Sequence, residues 1–188
     1  MKNKRTFIAI PLPQHIRDIL QGVQEILDPV SQGIKWVDPE LMHITLKFLG
    51  STPERLLEDV RKEFLEITEP VGPFRLQLSS LGHFPRKADP RVLWAGLQKI
   101  PGRIYRLSDE LNTAYISRGF DDTGKRFSPH ITLGRVKRKL HEDFLQEYYQ
   151  LELKQEFFDV DRIIWYESCH RDGKLTYIPL AEQKLTLK

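Results

Sequence analysis

The sequence predicts an α+β fold made of two similar lobes, and three observations lead to this prediction. Predicted strands often follow one another directly, with few helices between them, which favours antiparallel sheets over a doubly wound parallel sheet. The tetrapeptide His-Ile-Thr-Leu occurs twice, at 43–46 and again 87 positions later at 130–133. No linker or low-complexity tract interrupts the 188 residues, so we expect one bilobed domain over 1–188.

The first half of the chain alternates strands with helices. Apolar residues recur with the helical period from Ile16 to Leu27, until Asp28 and Pro29 end the run. A second helix is predicted to begin at Ser51-Thr52-Pro53-Glu54, where a hydroxyl can cap the first turn and proline fits it. The strands predicted in this half are 6–10, 35–37 and 43–49, the last closed by Gly50.

The second half contains more strands than helices. The predicted strands are 74–78, 92–95, 130–136, a strand within 157–165, and 175–178 after the Asp172-Gly173 turn. One helix is predicted from Pro101 to Tyr115, and a weaker one over 140–150. The segment from Gly82 to Pro90 is predicted to be a loop, as is the polar run 121–125.

Composition indicates an ordinary globular protein with a mild basic excess. Lysine and arginine number 29 against 26 acidic residues, an excess compatible with an anionic ligand but too small to require one. Cys169 is the only cysteine, which excludes an intrachain disulfide and a cysteine-rich metal site. The apolar run at 7–10 is too short for a signal peptide, and no segment is long enough to span a membrane, so we expect a cytoplasmic protein.

The repeated motif carries the chemistry. Side chains alternate faces along a strand, so His43 and Thr45 are expected on one face, with His130 and Thr132 matching them in the second copy. Imidazole titrates near neutrality, so one ring can accept a proton from an attacking oxygen while the other donates one to a leaving oxygen. The threonine hydroxyls can donate hydrogen bonds to phosphate oxygens. The paired motifs therefore predict opening of a phosphodiester without a metal.

Arg135 is a further candidate for binding the phosphate, because its guanidinium is a fork-shaped cationic donor. Strict alternation would place it on the opposite face from His130. We therefore expect a bulge or an edge position at Gly134 that returns Arg135 to the site.

Other polar and aromatic residues are assigned structural or solvent-exposed positions. Zinc is disfavoured, because two histidines and two threonines do not make a usual ligand set. Four aromatic residues can stack a base, although such residues more often belong to the core: Phe48, Trp94, Phe84 and Phe127. The remaining histidines are expected to be structural or exposed: His15, His83, His141 and His170. The basic run 137–139 is interpreted as a solvated edge, with nucleic-acid contact as the alternative.

With these residues in view, the sequence resembles the two-histidine phosphoesterases, and within them the bacterial and archaeal RNA 2′,3′-cyclic phosphodiesterases, also called 2′-5′ RNA ligase-like proteins. The resemblance covers nearly the whole chain. Besides the two motifs, it rests on Phe7–Ile10, Trp36-Val37, Leu41, Phe48-Leu49-Gly50, Gly82–Pro85, Arg91–Gly96, Phe127-Ser128-Pro129 and Leu133-Gly134-Arg135.

This resemblance implies two pseudo-symmetric lobes, each an antiparallel sheet with helices on its outer face, and an active-site groove between them. It implies hydrolysis of a 2′,3′-cyclic phosphate at an RNA 3′ end to a 2′-phosphomonoester. His43 would be the proton donor and His130 the proton acceptor, while Thr45, Thr132 and Arg135 would bind the phosphate. No cofactor or metal is implied, and the partners would be RNA ends or nucleotides, tRNA halves among them, bound by a monomer.

The residues alone leave several alternatives open. The near symmetry of the motifs does not say which histidine is the acid. A non-catalytic module that binds RNA ends, or a phosphodiesterase acting on a small cyclic nucleotide or a 2′-5′ linkage, fits the same constellation. The family is also known for a reverse activity that joins tRNA halves through a 2′-5′ bond.

Overall fold

The fold is described from a computed structural model, which defines residues 2–86, 89–122, 124 and 126–187. Nine strands lie in these ranges: β1 (Asn3–Pro11), β2 (Ile34–Trp36), β3 (His43–Pro53), β4 (Phe74–Phe84), β5 (Val92–Gln98), β6 (His130–Val136), β7 (Phe157–Val160), β8 (Arg162–Arg171) and β9 (Lys174–Lys184). The α-helices in them are α1 (Gln14–Leu27), α2 (Leu57–Thr68), α3 (Gly102–Ser117) and α4 (Glu142–Gln150).

The strands form two antiparallel halves that meet at the two motif strands. One half has the order β3-β1-β8-β9 and the other the order β6-β5-β4-β7. The halves are joined between β3 and β6 by one residue pair, Ile44 with Ile131. Beyond this pair β3 no longer pairs with β6. Strand β2 pairs with β6 there instead, along Gly134–Val136. The predicted α+β class with one motif strand in each half is confirmed.

Helices cover the face of the sheets opposite the motif histidines, and the core lies between. The four helices contribute buried side chains to one continuous apolar cluster that also contains Ile44 and Ile131. Two polar contacts fix helices to strands and to each other: Ser108 of α3 donates to the Leu46 carbonyl at 3.1 Å, and Tyr115 to the Val60 carbonyl at 3.0 Å. Burial of the apolar strand face thereby leaves the other face to the histidines.

Most predicted elements are confirmed, but the boundary after the first motif is wrong. Strand β3 does not close at Gly50 and continues to Pro53, so the predicted cap at Ser51-Thr52 does not exist. Thr52 is fully buried, and its hydroxyl is 2.7 Å from that of Thr6 on β1. A 3-10 turn, Glu54–Leu56, follows before α2 begins at Leu57. The pairing of β3 with β1 overrides the local signal for a helix start.

Two predicted segments in the second half also need correction. The run Gly82–Phe84 was expected in a loop, yet it pairs with β5 as the end of β4. The single strand expected within 157–165 is two strands, β7 and β8, on opposite halves. Lys87 and Ala88 of the first predicted loop, and Thr123 and Lys125 of the second, lie outside the described residues. Over the described ranges, no helix is both long and apolar enough to cross a membrane.

Gln24 connects α1 to the strands that carry the site. Its buried amide donates to the carbonyls of Val37, at 2.7 Å, and Leu133, at 2.9 Å. Gln24→Leu is expected to lower the free energy of unfolding by about 1–3 kcal/mol, because the Val37 carbonyl loses this donor. Urea denaturation measures the change. The control is Gln21→Leu on the exposed side of α1, and equal effects of both substitutions would contradict the role of Gln24.

Candidate active site

The two motifs present their histidines and threonines on one face of the sheet. His43, Thr45, His130 and Thr132 are each partly exposed. The intervening side chains are at most 4% exposed and belong to the core: Ile44, Leu46, Ile131 and Leu133. The alternation expected from the sequence is therefore present in both copies.

The single pair between β3 and β6 brings the two motifs together. With Ile44 opposite Ile131 in an antiparallel pair, the neighbouring register positions set His43 beside Thr132 and Thr45 beside His130. These four polar side chains are thus arranged around a local two-fold axis through the isoleucine pair. In this register, the position across the strands from each histidine is that of the other copy's threonine.

Each imidazole is held by the same hydrogen bond. Nδ1 of His43 lies 2.8 Å from the Leu41 carbonyl oxygen, and Nδ1 of His130 lies 2.7 Å from that of Ser128. A carbonyl only accepts, so Nδ1 carries the hydrogen in both rings. The neutral form then leaves Nε2 as an acceptor, and the charged form leaves it as a donor. The pair is oriented to move protons through Nε2.

Aromatic rings surround His43 on its own lobe. The centroid of the Phe7 ring lies 4.8 Å from the imidazole centroid, and the ring of Tyr177 meets it edge-on at 5.4 Å. Phe7 also packs on Tyr166 at 5.4 Å, which extends the wall across β8 to β9. Neither Phe7 nor Tyr177 was a candidate from the sequence, because β1 and β9 are brought to this position only by the strand order.

His130 has an aromatic wall on the other lobe. Phe84 meets its ring edge-on at 5.0 Å, and the Trp94 centroid is 6.4 Å away. Gly82 provides the space for this indole, since a Cβ there would come within 2.3 Å of the Trp94 ring. The sequence had indicated both aromatic residues as candidates, and the structure places them beside the second histidine.

Burial lowers the pKa of both histidines. The pKa of His43 falls from 6.5 to about 4, and desolvation by burial is the largest cause of this shift. The hydrogen bond to Leu41 opposes the shift, and the charges of His130 and Arg135 add to it. At His130 desolvation again lowers the pKa, the bond to Ser128 opposes it, and Arg135 lowers it further. Both shifts favour the neutral imidazole in the free protein, and a bound anion would favour the charged forms.

Each motif strand contains a β-bulge at the same point of the motif. The bulge determines on which side of the sheet the residue five positions after the histidine lies. In β3 the register passes from Thr45 opposite Ala9 to Lys47 opposite Ile8. In β6 it passes from Thr132 opposite Trp94 to Gly134 opposite Leu93. One residue is skipped in each strand, at the same point of the motif, so the alternation reverses.

The bulges return one side chain in each lobe to the histidine face. In β3 this is Phe48, which is 54% exposed, while Lys47 before it is 6% exposed. In β6 it is Arg135, which is exposed and whose charge acts on both histidines. The bulge expected near Gly134 is thus present, and the histidine face carries an aromatic ring in one lobe and a cation in the other.

Other sequence candidates lie away from this group. His83 is hydrogen-bonded to Tyr149 of α4, and His15 of α1 lies 3.4 Å from the Phe157 carbonyl. His141 precedes α4 rather than lying on a helix, and its side chain is 88% exposed. His170 is exposed near the end of β8, and Phe127 packs on Tyr105 at 5.8 Å.

Over the described ranges, no three His, Cys, Asp or Glu side chains cluster in a way that could hold a metal ion.

Two histidines with paired threonines on adjoining strands of a bilobed sheet define the class of two-histidine phosphoesterases. A family model described as LigT-like phosphoesterase matches residues 10–94. The RNA 2′,3′-cyclic phosphodiesterase of Archaeoglobus fulgidus is 36% identical over 146 residues, which cover 77% of this chain and 80% of that protein. The chain belongs to the LigT-like phosphoesterase family, and the expectation of a phosphodiesterase enzyme is confirmed.

Solved structures show the same fold over nearly the whole chain. The protein TT0787 of Thermus thermophilus superimposes with a TM-score of 0.79 at 27% identity, covering 96% of this chain and 97% of that one. E. coli LigT, solved with 3′-AMP, gives a TM-score of 0.80 at 24% identity and covers 99% of this chain and all of its own. The predicted two-lobed architecture is thereby confirmed.

The lowered pKa of His43 predicts a loss of stability in acid. The unfolded chain binds a proton near pH 6.5, whereas folded His43 binds it only near pH 4. The free energy of unfolding should therefore fall as the pH drops through this interval, by roughly 3 kcal/mol from this group. Urea denaturation at pH 7 and pH 4 measures the loss, and NMR of the imidazole proton gives the pKa directly. His43→Gln should lose correspondingly less; an unchanged loss in that variant would refute the assignment.

Proposed function

We propose that this protein hydrolyses 2′,3′-cyclic phosphates at RNA 3′ ends to 2′-phosphomonoesters by two-histidine acid–base catalysis, without a metal. The observation that carries the proposal is the matched pair of imidazoles, each fixed through Nδ1 to a backbone carbonyl and without a hydrogen bond from Nε2 to any residue that the structure describes. Curated relatives named RNA 2′,3′-cyclic phosphodiesterase support the choice of substrate.

In the proposed reaction a water molecule attacks phosphorus while Nε2 of His130 accepts its proton. The bond from phosphorus to the 3′ oxygen breaks, and Nε2 of His43 donates a proton to that oxygen. The product has a free 3′-hydroxyl and a 2′-phosphate, and each histidine ends in the protonation state that the other began with. Acid–base assistance of this kind typically contributes about 10²- to 10⁴-fold.

The phosphate binds between the two motifs. Thr45 and Thr132 donate hydrogen bonds to its non-bridging oxygens, and Arg135 supplies a charged fork. The low pKa of His43 fits a role as acid only with substrate bound, since burial disfavours the charged imidazole in the free protein. The negative phosphate raises the pKa of His43 and so charges the donor when the substrate arrives.

We also propose a place for the terminal base. Phe48 is exposed on the histidine face, at the end of the groove opposite Arg135. An exposed ring beside a phosphate site offers a stacking surface to any base. We further propose that tRNA halves are among the substrates, that the protein also catalyses the reverse 2′-5′ joining reaction, and that it acts as a monomer in the cytoplasm.

Both motif histidines are expected to be required for turnover. His43→Ala and His130→Ala should each reduce kcat by about 10²-fold or more, because each removes one proton transfer. Phosphorus NMR of a short RNA ending in a 2′,3′-cyclic phosphate, in excess EDTA, follows the 2′-phosphate product. His141→Ala is the matched control, since that ring is 88% exposed and is paired with Asp143 rather than with a motif residue. A folded His43→Ala or His130→Ala variant with most of its activity would overturn the mechanism.

The pH dependence separates this proposal from the alternatives. Activity should rise as His130 loses its proton and fall as substrate-bound His43 loses its own, giving a bell-shaped profile of kcat. A module that only binds RNA ends would show affinity without turnover. Faster turnover of nucleoside cyclic phosphates, or of 2′-5′ linkages, than of RNA ends would instead favour a small-molecule or 2′-5′ phosphodiesterase.

The stacking role makes a separate prediction. Phe48→Ala should reduce kcat/KM on the cyclic-phosphate RNA by about tenfold, because base stacking is worth about 1–3 kcal/mol. Phe48→Tyr should keep most of the activity, since it keeps the ring. Steady-state kinetics measure both, with Phe157→Ala on β7 as the control for loss of an exposed aromatic side chain. Equal kcat/KM for wild type and Phe48→Ala would contradict the stacking role.

A further inference from the structure

Two cations face each other across β2 and β6 at the end of the groove remote from Phe48. Lys35 of β2 is the register partner of Arg135 of β6. Directly opposite residues in an antiparallel pair have their Cβ atoms about 5 Å apart on the same face, and like charges there destabilise the sheet. Both side chains are exposed. Anions bound beside these two charges would relieve their mutual repulsion.

The packing on the opposite face fixes the orientation of Lys35 independently. Gly134 precedes Arg135 in β6 and so faces away from the histidines. A Cβ at Gly134 would come within 2.8 Å of both Ile34 and Trp36, so those two side chains lie on that face. Trp36 is anchored there, because its Nε1 donates to Asp28 at 2.8 Å. Lys35 lies between these two residues in the strand and therefore points to the histidine face.

No carboxylate within the described ranges forms an ion pair with Lys35 or Arg135. The nearest acid in the sequence, Asp38, accepts a hydrogen bond from the Glu40 amide at 3.0 Å. Lys137 adds a third positive charge, because its amide donates to the Gly33 carbonyl at 2.7 Å and continues the β2–β6 ladder. It lies two residues beyond Arg135 and so shares its face. Together Arg135, Lys35 and Lys137 form a cationic track leading away from the histidines.

We propose that this track binds the RNA chain behind its reactive end, with Lys35 contacting the phosphodiester on the 5′ side of the terminal nucleotide. The inference rests on the proposed function, which places the terminal phosphate at Arg135. Lys35 is the cation directly beside Arg135 across the two strands, and the anion adjacent to the terminal phosphate in an RNA chain is that phosphodiester. A ligand with two phosphates should therefore bind more tightly than one with a single phosphate, and Lys35 should account for the gain.

The test compares equilibrium binding of two ligands that need no turnover. One is a nucleoside 2′-monophosphate, and the other is a dinucleotide that ends in the same 2′-phosphate and adds one internal phosphodiester. Calorimetric titration gives both dissociation constants for wild type, Lys35→Gln, Lys35→Arg and Lys62→Gln. Lys62 is the matched control, an exposed lysine on α2 that is paired with Glu66.

Wild type should bind the dinucleotide about tenfold more tightly than the mononucleotide, which corresponds to one charged hydrogen bond. Lys35→Gln should remove most of this ratio, while Lys35→Arg and Lys62→Gln should keep it. The plot of log affinity against log salt concentration for the dinucleotide should be shallower by about 0.7 in Lys35→Gln, as one phosphate contact is lost.

An equal ratio in wild type and Lys35→Gln would overturn the role of Lys35. So would a wild type that binds both ligands with the same affinity. The proposed function fails by a different result, namely the absence of a 2′-phosphate product from a cyclic-phosphate RNA. A protein that shows the Lys35-dependent ratio without turnover would retain the RNA track and lose the catalytic proposal.

Discussion

The site depends on one constraint, which is that the two motif strands pair antiparallel through Ile44 and Ile131 alone. An antiparallel pair has a local two-fold axis, so the same motif on both strands delivers its histidine and threonine in matched positions. Because the pairing stops after one residue pair, the two halves of the sheet diverge on either side of it. The histidines and threonines stay partly exposed on one face of the sheet, while both isoleucines are buried in the common core on the other.

Orientation of the imidazoles comes from local chain geometry rather than from distant partners. Each ring donates to the carbonyl two residues earlier, and aromatic side chains from neighbouring strands pack on it. The same enclosure removes water and lowers the pKa of both rings. A site that disfavours positive charge when empty accepts a proton readily only when an anion is present, so anion binding and protonation are coupled.

The sequence predicted the motif faces and the two-lobed fold because the signals involved are local. Alternation in His-Ile-Thr-Leu and the succession of strands and helices along the chain required no knowledge of distant contacts. The wrong helix start at Ser51-Thr52 shows the limit, since burial of Thr52 against Thr6 comes from a strand 46 residues away in sequence. Phe7 and Tyr177 were missed for the same reason: they reach His43 only through the pairing of β1 and β9 with their neighbours.

The two lobes have the same motif and the same bulge, but they carry different residues at the position five residues after each histidine. Equal bulges in β3 and β6 bring that position to the histidine face, where one lobe presents Phe48 and the other Arg135. A symmetric groove would not distinguish the two ends of a bound nucleotide. On the proposed function, an aromatic ring at one end and a cationic side chain at the other would give the base and the phosphate separate places. This difference favours one binding direction, and binding in one direction would assign the acid and base roles to two otherwise equivalent histidines.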